Sequence, residues 1–480
     1  MPPRYCCFAF SLIVLATGCR GTPVPTSVKP GADHHHDHVH DFRHWEIASP
    51  DPDRIFLSFH GDAATRRAVT WRTDTSVAKA FVEIAPALAE PGFDQLAKRI
   101  PATTEVVDLE ATKGPNLNKV HYHSVILTDL EPDRLHAYRV GDGEDRWSEW
   151  IQFRTAARTA KPFSFIYFGD AQNDVHSRWS RVIRMAHQTA PQAAFALHAG
   201  DLINKANSDT EWAGWFKAGS YLHAQWTGIP VVGNHEYLSS RAAEESQRKM
   251  SMLWQPQFTL PIAEGLSEQL HETVYTVEYQ DVQIIVLNSM KGISEQARFL
   301  EEQLQKPGFN WRCVAFHYPI YSPRFRDKHA LTPTEREEWR GIIAKYQVDC
   351  VFQGHDHGYL RGQVPVRSVP EPGSDRLETL YVVSVSGPKQ GAPEPEHIDK
   401  YEAEGFSRIR VAGNTQFFQV IEIDGNQLKY QAYTATGELY DAAVIEKDLS
   451  TGSKTIRQMI PDTEERTFEN TVEYSSENLL

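Results

Sequence analysis

The chain has 480 residues, 41% of them hydrophobic, and a formal net charge of −14. That length supplies more than one domain and a large buried core, while the acidic balance excludes a general nucleic-acid binder, which needs a basic face to displace counterions. An acidic surface also repels phosphate compounds, so affinity for them has to come from positive charge concentrated locally.

Residues 1–18 carry Arg4 and an apolar run from Cys6 to Ala16. The run is too short to span a bilayer and has the pattern of an export signal. Its ending, Leu15-Ala16-Thr17-Gly18-Cys19, resembles a bacterial lipoprotein signal. That resemblance implies a lipid on Cys19 and anchoring in the cell envelope, at the outer membrane or in the periplasm; an ordinary cleaved signal implies secretion instead. Residues 19–48 are rich in Pro, Gly and Thr and then in histidine (His34, His35, His36, His38, His40, His44). No periodic apolar face exists here, which predicts a tether. It reads either as a scavenger of Zn, Cu or Ni that feeds a catalytic site or as a polar linker without metal chemistry.

Residues 49–156 alternate apolar and polar positions in short runs (IFLSF, AVTWRT, AFVEI, HYHSVIL, AYRVG, WIQFRT) separated by turn residues such as Asp142-Gly143. Helical periodicity is absent, so this part is predicted to be an all-β sandwich. Trp71 and Tyr138 look like the core Trp and Tyr of a fibronectin type III-like module.

After a linker at 155–162, residues 160–447 alternate between the two periodicities. The patterns predict strands at 163–169, 194–199, 229–232, 273–279, 282–288, 312–316, 349–353 and 380–386. Helices are expected at 177–189, 209–223, 294–305 and 334–346, and antiparallel strands close the domain over 416–447. Cys313 and Cys350 fall in predicted core strands and read as buried thiols, a disulfide between neighbouring strands being the alternative in an oxidising compartment. Residues 448–480 are polar and acidic without a hydrophobic pattern, and no structure is assigned to them.

Five of these strands end in ligand-type residues: Gly169-Asp170, Gly200-Asp201, Gly233-Asn234-His235-Glu236, His317, and Gly354-His355-Asp356-His357. In open α/β sheets, sites form outside the carboxyl ends of parallel strands, so these residues are expected to converge. Two carboxylates, three imidazoles and an amide oxygen exceed one tetrahedral site and suit two metal ions.

In this order, the five motifs resemble those of the calcineurin-like metallophosphoesterases and, within them, the purple acid phosphatases; the resemblance covers residues 49 to about 447. It implies an α/β core of central sheets flanked by helices, behind the N-terminal fibronectin type III-like sandwich. One metal is then held by Asp170, Asp201 and His357 and the other by Asp201, Asn234, His317 and His355, with Asp201 as the bridge. A metal-activated water would attack phosphorus in line. His235 is the expected general acid and phosphate contact, with Asp201 the second residue essential to catalysis. Tyr359 and Arg361 are expected to reach phosphate oxygens from a loop, Glu236 and Asp356 to hold imidazole tautomers, and His198 to be a core histidine.

Two positions depart from the family. Asn204 stands where purple acid phosphatases have the tyrosine whose phenolate colours Fe(III), and Gln172 stands where other metallophosphoesterases have a histidine ligand. Both are expected to be weak ligands, which favours Mn, Fe(II), Zn or Mg over Fe(III) in the pair of divalent or mixed-valence ions.

The expected function is hydrolysis of small-molecule phosphomonoesters by an exported enzyme. A phosphodiesterase on the same core is the alternative, and a non-catalytic cell-surface protein that binds metal or partners is the alternative of another class.

Overall fold

The structure is a computed structural model, and it describes residues 43–112, 114, 118–242, 245–324, 330–365 and 378–467. The export signal, Cys19 and the histidine tract as far as His40 lie outside the described residues. Among the described residues no helix is long and apolar enough to cross a membrane.

Alternation in residues 53–154 produces two facing sheets. One holds Asp53–Ser58, Arg67–Asp74, Lys119–Leu127 and Thr103–Asp108; the other holds Lys98–Pro101, Phe81–Pro86, Leu135–Gly141 and Ile151–Arg154. Leu57, Val69, Trp71, Val82, Tyr138, Val140 and Phe153 fill the space between them. The Tyr138 hydroxyl donates to the Ala224 carbonyl at 2.6 Å, so this tyrosine ties the sandwich to the next domain.

The join is continuous. Ser58 pairs in parallel with Gly228, making the first sheet part of an eleven-stranded sheet that runs into the α/β core. A side chain at Gly228 would collide with the Phe56 ring, its Cβ falling 2.1 Å from Cζ. Arg54 adds a buried ion pair to Asp209 at 2.7 Å. The described residues accordingly make one compact unit.

In the core, Phe163–Phe168, Phe195–His198 and Thr227–Pro230 lie parallel in the first sheet. Val282–Val286, Trp311–Ala315, Cys350–Gln353 and Glu378–Val383 lie parallel in a second, seven-stranded sheet. The sheets face one another through contacts such as Tyr167 on Phe352, with ring centroids 4.9 Å apart. Cys313 and Cys350 sit opposite one another on neighbouring strands, both buried and both free thiols.

Helices form at Ser180–Thr189, Asp209–Gly219, Ile293–Gln305 and Pro333–Lys345. The helix expected over 209–223 is broken at Ser220, whose φ of 46° ends one segment before Tyr221–Gln225 begins another. Two strands run through stretches where none was expected, Tyr359–Pro365 and Ser407–Ala412. The polar tail also contributes a strand, Lys454–Gln458, at the edge of the large sheet. No apolar pattern announces that strand because its anchor is charge: Lys454 Nζ lies 2.8 Å from Asp349 Oδ1, and Lys447 Nζ lies 2.6 Å from Asp349 Oδ2.

Burial opposes ionisation of Asp349, but the two ammonium groups outweigh it and hold its carboxyl below the usual range. Its contribution to stability is therefore present above the ordinary carboxylate pKa of about 4 and fades as the pH falls through the depressed folded value. Asp349→Ala leaves two cations without their buried partner and is expected to cost about 3–5 kcal/mol in urea unfolding, a loss that shrinks on acidification.

Candidate metal centre

Each candidate ligand follows the end of a parallel strand. Asp170 follows Phe163–Phe168, Asp201 follows Phe195–His198 and Asn234 follows Thr227–Pro230; His317 follows Trp311–Ala315, and His355 and His357 follow Cys350–Gln353. Because the two sheets face one another, these ends share one rim. Four of the six have positive φ: Asp170 (22°), Asp201 (51°), His355 (78°) and His357 (51°). Such conformations cost a non-glycine residue on the order of 1–3 kcal/mol each, and their clustering marks a site that the surrounding structure holds in place. Gly200, with φ 88°, is required beside them, since a Cβ there would lie 2.5 Å from His317 Nδ1.

The side chains converge on Asp201. Its Oδ2 lies 3.1 Å from His317 Nε2, 2.9 Å from Gln172 Nε2 and 3.9 Å from His235 Nε2. His317 Nδ1 donates to the Ala199 carbonyl at 2.8 Å, which leaves Nε2 facing two acceptors, Asp201 and the Asn234 Oδ1 at 3.2 Å. One nitrogen between two oxygens needs a proton or a metal ion. Burial lowers the His317 pKa, but Asp201 overrides it and pushes it up to about 10. Asp201 itself is held far below the carboxylate range: burial opposes this, and the neighbouring His317 and His235 outweigh it. Ligand atoms of Asp201, His317 and His355 all lie within 4.8 Å of one another.

Asp170 makes the need for a cation sharper. It is buried, and neither of its carboxylate oxygens has a hydrogen-bond partner. Burial pushes its pKa well above the usual range even though His317 Nδ1 stands 3.7 Å away. An isolated buried carboxylate is strongly disfavoured, whereas a carboxylate bound to a metal is not. The donor set of carboxylates, imidazoles and an amide therefore fits metal ions.

Glu236 and His235 frame the bridge. Glu236, expected to hold an imidazole, instead accepts the main-chain N–H groups of Asp201, Leu202 and Gly233 at 3.0, 2.8 and 2.7 Å, clasping two of the ligand loops. Burial and the nearby Asp201 push its pKa up to about 7. The His235 N–H donates to Asp201 Oδ1 at 2.9 Å, and its Nδ1 donates to the Asn204 carbonyl at 2.5 Å. Nε2 is left toward the site, in a side chain that is 24% exposed. Asn204 thus enters through its main chain, as the acceptor that orients His235.

Two further expectations need correction, one for Arg361 with Tyr359 and one for Gln172. Arg361 and Tyr359 do not sit on an exposed loop: both are buried in the strand Tyr359–Pro365. The Arg361 guanidinium grips Asp441 with Nε–Oδ2 and Nη2–Oδ1 both at 2.6 Å, and the Tyr359 hydroxyl donates to the same carboxylate at 2.6 Å. A fork so engaged is not available to phosphate. Gln172 presents its amide nitrogen to the cluster, 3.0 Å from His357 Nε2 as well as near Asp201, so its oxygen is not placed as a ligand. Asp356 accepts from the Ser322 hydroxyl at 2.5 Å. His198 packs in the core as expected, stacked on Phe168 at 5.3 Å.

Sequence reading missed Lys389, half-buried, whose Nζ donates to Gln172 Oε1 at 3.3 Å. The signal was present, because Ser386-Gly387-Pro388-Lys389 follows a parallel strand as the other site loops do. Gly387 N–H donates to the Asp170 carbonyl, which brings this loop to the rim.

The chain is similar to known proteins in sequence and in fold. The model of the purple acid phosphatase N-terminal domain matches residues 52–155, and that of the calcineurin-like phosphoesterases matches residues 171–359. An uncharacterized protein of Mycobacterium tuberculosis is 26% identical over 356 residues, which cover 66% of this chain and 63% of the relative, so the chain spans less than two thirds of that protein. The Fe(3+)-Zn(2+) purple acid phosphatase 12 of Arabidopsis thaliana is 24% identical over 334 residues, covering 63% of this chain and 68% of that one. In structure the chain is similar to purple acid phosphatase PPD1 from yellow lupin (Lupinus luteus) seeds, with a TM-score of 0.67 and 18% identity over 83% of this chain and 75% of that one. It is also similar to PhoD, with a TM-score of 0.61 and 12% identity over 88% and 95%. Both structural likenesses concern the fold. Matched in both parts and in that order, the chain is a calcineurin-like metallophosphoesterase that carries the N-terminal domain of the purple acid phosphatases.

Proposed function

We propose that the chain is a metal-dependent phosphatase that hydrolyses small-molecule phosphomonoesters at a two-metal site. The observation that carries this reading is the gathering of Asp201, His317 and His355, with Asn234 beside them, next to Asp170, a carboxylate buried without a hydrogen-bond partner. In it, Asp170, Asp201 and His357 hold the first ion, and Asp201, Asn234, His317 and His355 the second. Divalent ions held there would supply the positive charge that a phosphate dianion needs and would acidify water.

The protein's own residues divide the remaining work. Glu236 keeps Asp201 and Gly233 in register through their amides. His235 is oriented by the Asn204 carbonyl so that Nε2, the nitrogen turned toward Asp201, can hold a proton for the departing alkoxide. The N-terminal sandwich serves as a fibronectin type III-like scaffold. Residues 1–18 export the chain, and Cys19 tethers it in the cell envelope.

Asp201→Asn removes negative charge shared by both ions, so metal content and turnover should collapse together. His235→Ala should keep its metal and lose roughly 10²- to 10⁴-fold in turnover, with a smaller loss on nitrophenyl esters, whose leaving group needs little protonation, than on alkyl esters. Metal analysis with turnover on both ester types checks this, and a metal-free His235→Ala would remove His235 from the role of acid. Bis-aryl diesters assayed alongside separate a monoesterase from a diesterase.

Iron-loaded protein is expected to be colourless, because Asn204 offers no phenolate for a charge-transfer band. A visible absorption band that persists without the histidine tract would mean that another tyrosine reaches the metal.

The end of the tether is held against His176. Arg43 Nη1 lies 3.1 Å from His176 Nδ1, Trp45 packs on the same ring at 4.7 Å, and His176 is four residues beyond Gln172. Deleting residues 20–44 should leave turnover intact at saturating metal but raise the metal concentration needed for half activation, since a tethered donor acts only through local concentration. An unchanged activation curve would make the segment a plain linker.

A further inference from the structure

The two metal positions are not equally prepared. For the second, ligand atoms of Asp201, His317 and His355 are already gathered within 4.8 Å, and Asn234 Oδ1 stands 3.2 Å from His317 Nε2. The contacts there are among the ligands themselves, whereas at the first position two of the three ligand side chains are engaged by a side chain outside the set. The Gln172 amide donates to Asp201 Oδ2 at 2.9 Å and to His357 Nε2 at 3.0 Å, occupying lone pairs that an ion would use.

The orientation of that amide is determined from behind. Gln172 Oε1 accepts from Lys389 Nζ at 3.3 Å. Turned over, the amide would set its NH₂ against an ammonium and its oxygen against a carboxylate, two like-on-like contacts. Lys389 therefore keeps Gln172 nitrogen-first, and it also brings a positive charge to the side of the cluster where Asp170 lies, so that a cation entering there meets repulsion.

We propose that Lys389 and Gln172 act together as a placeholder in the first metal position, which makes that position the weak and exchangeable one and leaves Asp201, Asn234, His317 and His355 as the tight one. The first ion enters only when the Gln172 amide withdraws, and Asp170, with no hydrogen bond to give up, is the ligand that draws it in. This inference rests on the two-metal reading above. Lys389 and Gln172 are positioning residues, because they act on the ion's ligands.

The test is calorimetric titration of the metal-stripped full chain with Mn²⁺ alone, the divalent first-row ion that the histidine tract holds least. Wild type should take up two ions in separate steps. Asp170→Asn should lose only the weaker step, and His355→Ala the tighter. Lys389→Met and Gln172→Ala should each tighten the weaker step by about 10- to 100-fold, the usual reach of a residue behind a metal ligand, and leave the tighter step in place. A single ion in wild type that becomes two in Gln172→Ala is the same result in stronger form. Two equal steps in wild type, or a weaker step that neither Lys389→Met nor Gln172→Ala moves, would overturn the proposal while leaving the two-metal reading intact. A wild type that takes up no ion would overturn that reading itself.

Discussion

Two carboxylates buried at the ends of neighbouring strands are the constraint on which the rest of this molecule turns. Asp170 and Asp201 are both withdrawn from water, and a buried charge without compensation is among the least favourable arrangements a fold can hold. Asp201 is compensated by the imidazole of His317, the amide of Gln172 and the main-chain N–H of His235. Asp170 has no comparable donor. The positive φ values, the absent side chain at Gly200 and the clasp made by Glu236 all help to hold the loops that carry these acids in place. The strain is thus an investment in the site, distributed over loops that the parallel strands bring to one rim.

How much of this can be read from the chain depends on how local the signal is. A buried strand followed by a ligand-type residue, in every case but His317 after a glycine, is a pattern of about seven positions, so the strands and the six ligand candidates were visible one at a time, and the rule for parallel sheets gathered them. Arg361 and Tyr359 failed for the opposite reason: their partner, Asp441, is 80 positions from Arg361, and nothing near them in sequence shows that their polar ends are already satisfied. Gln172 is similar, since Lys389, which orients its amide, lies 217 positions away. The strand Lys454–Gln458 has no apolar signature because a buried ion pair with Asp349 does what a hydrophobic face does elsewhere. Ser220 is missed because helical patterning continues past it on both sides.

The sandwich and the core interlock through polar groups as well as through apolar packing. Arg54 reaches Asp209 at the start of a core helix, and Tyr138 reaches Ala224 beyond its end. The helix between them carries Trp212 and Trp215 into the cluster beneath the strands that end in the ligands. The N-terminal domain thus packs against the helix beneath the ligand-bearing strands, although it contributes none of the candidate ligands.

The continuous sheet has a consequence for the chain as it emerges during synthesis. Once residues 163–230 have formed their three parallel strands, Thr227–Pro230 would be a bare edge, with unpaired N–H and C=O groups able to template pairing with another chain. Asp53–Ser58, made earlier, is already waiting to cover it, and Gly228 is small enough for Phe56 to close over it. The N-terminal domain is therefore placed to cap one edge of the parallel sheet early, while the other edge, Phe163–Phe168, is covered only when Phe417–Asp424 has been made.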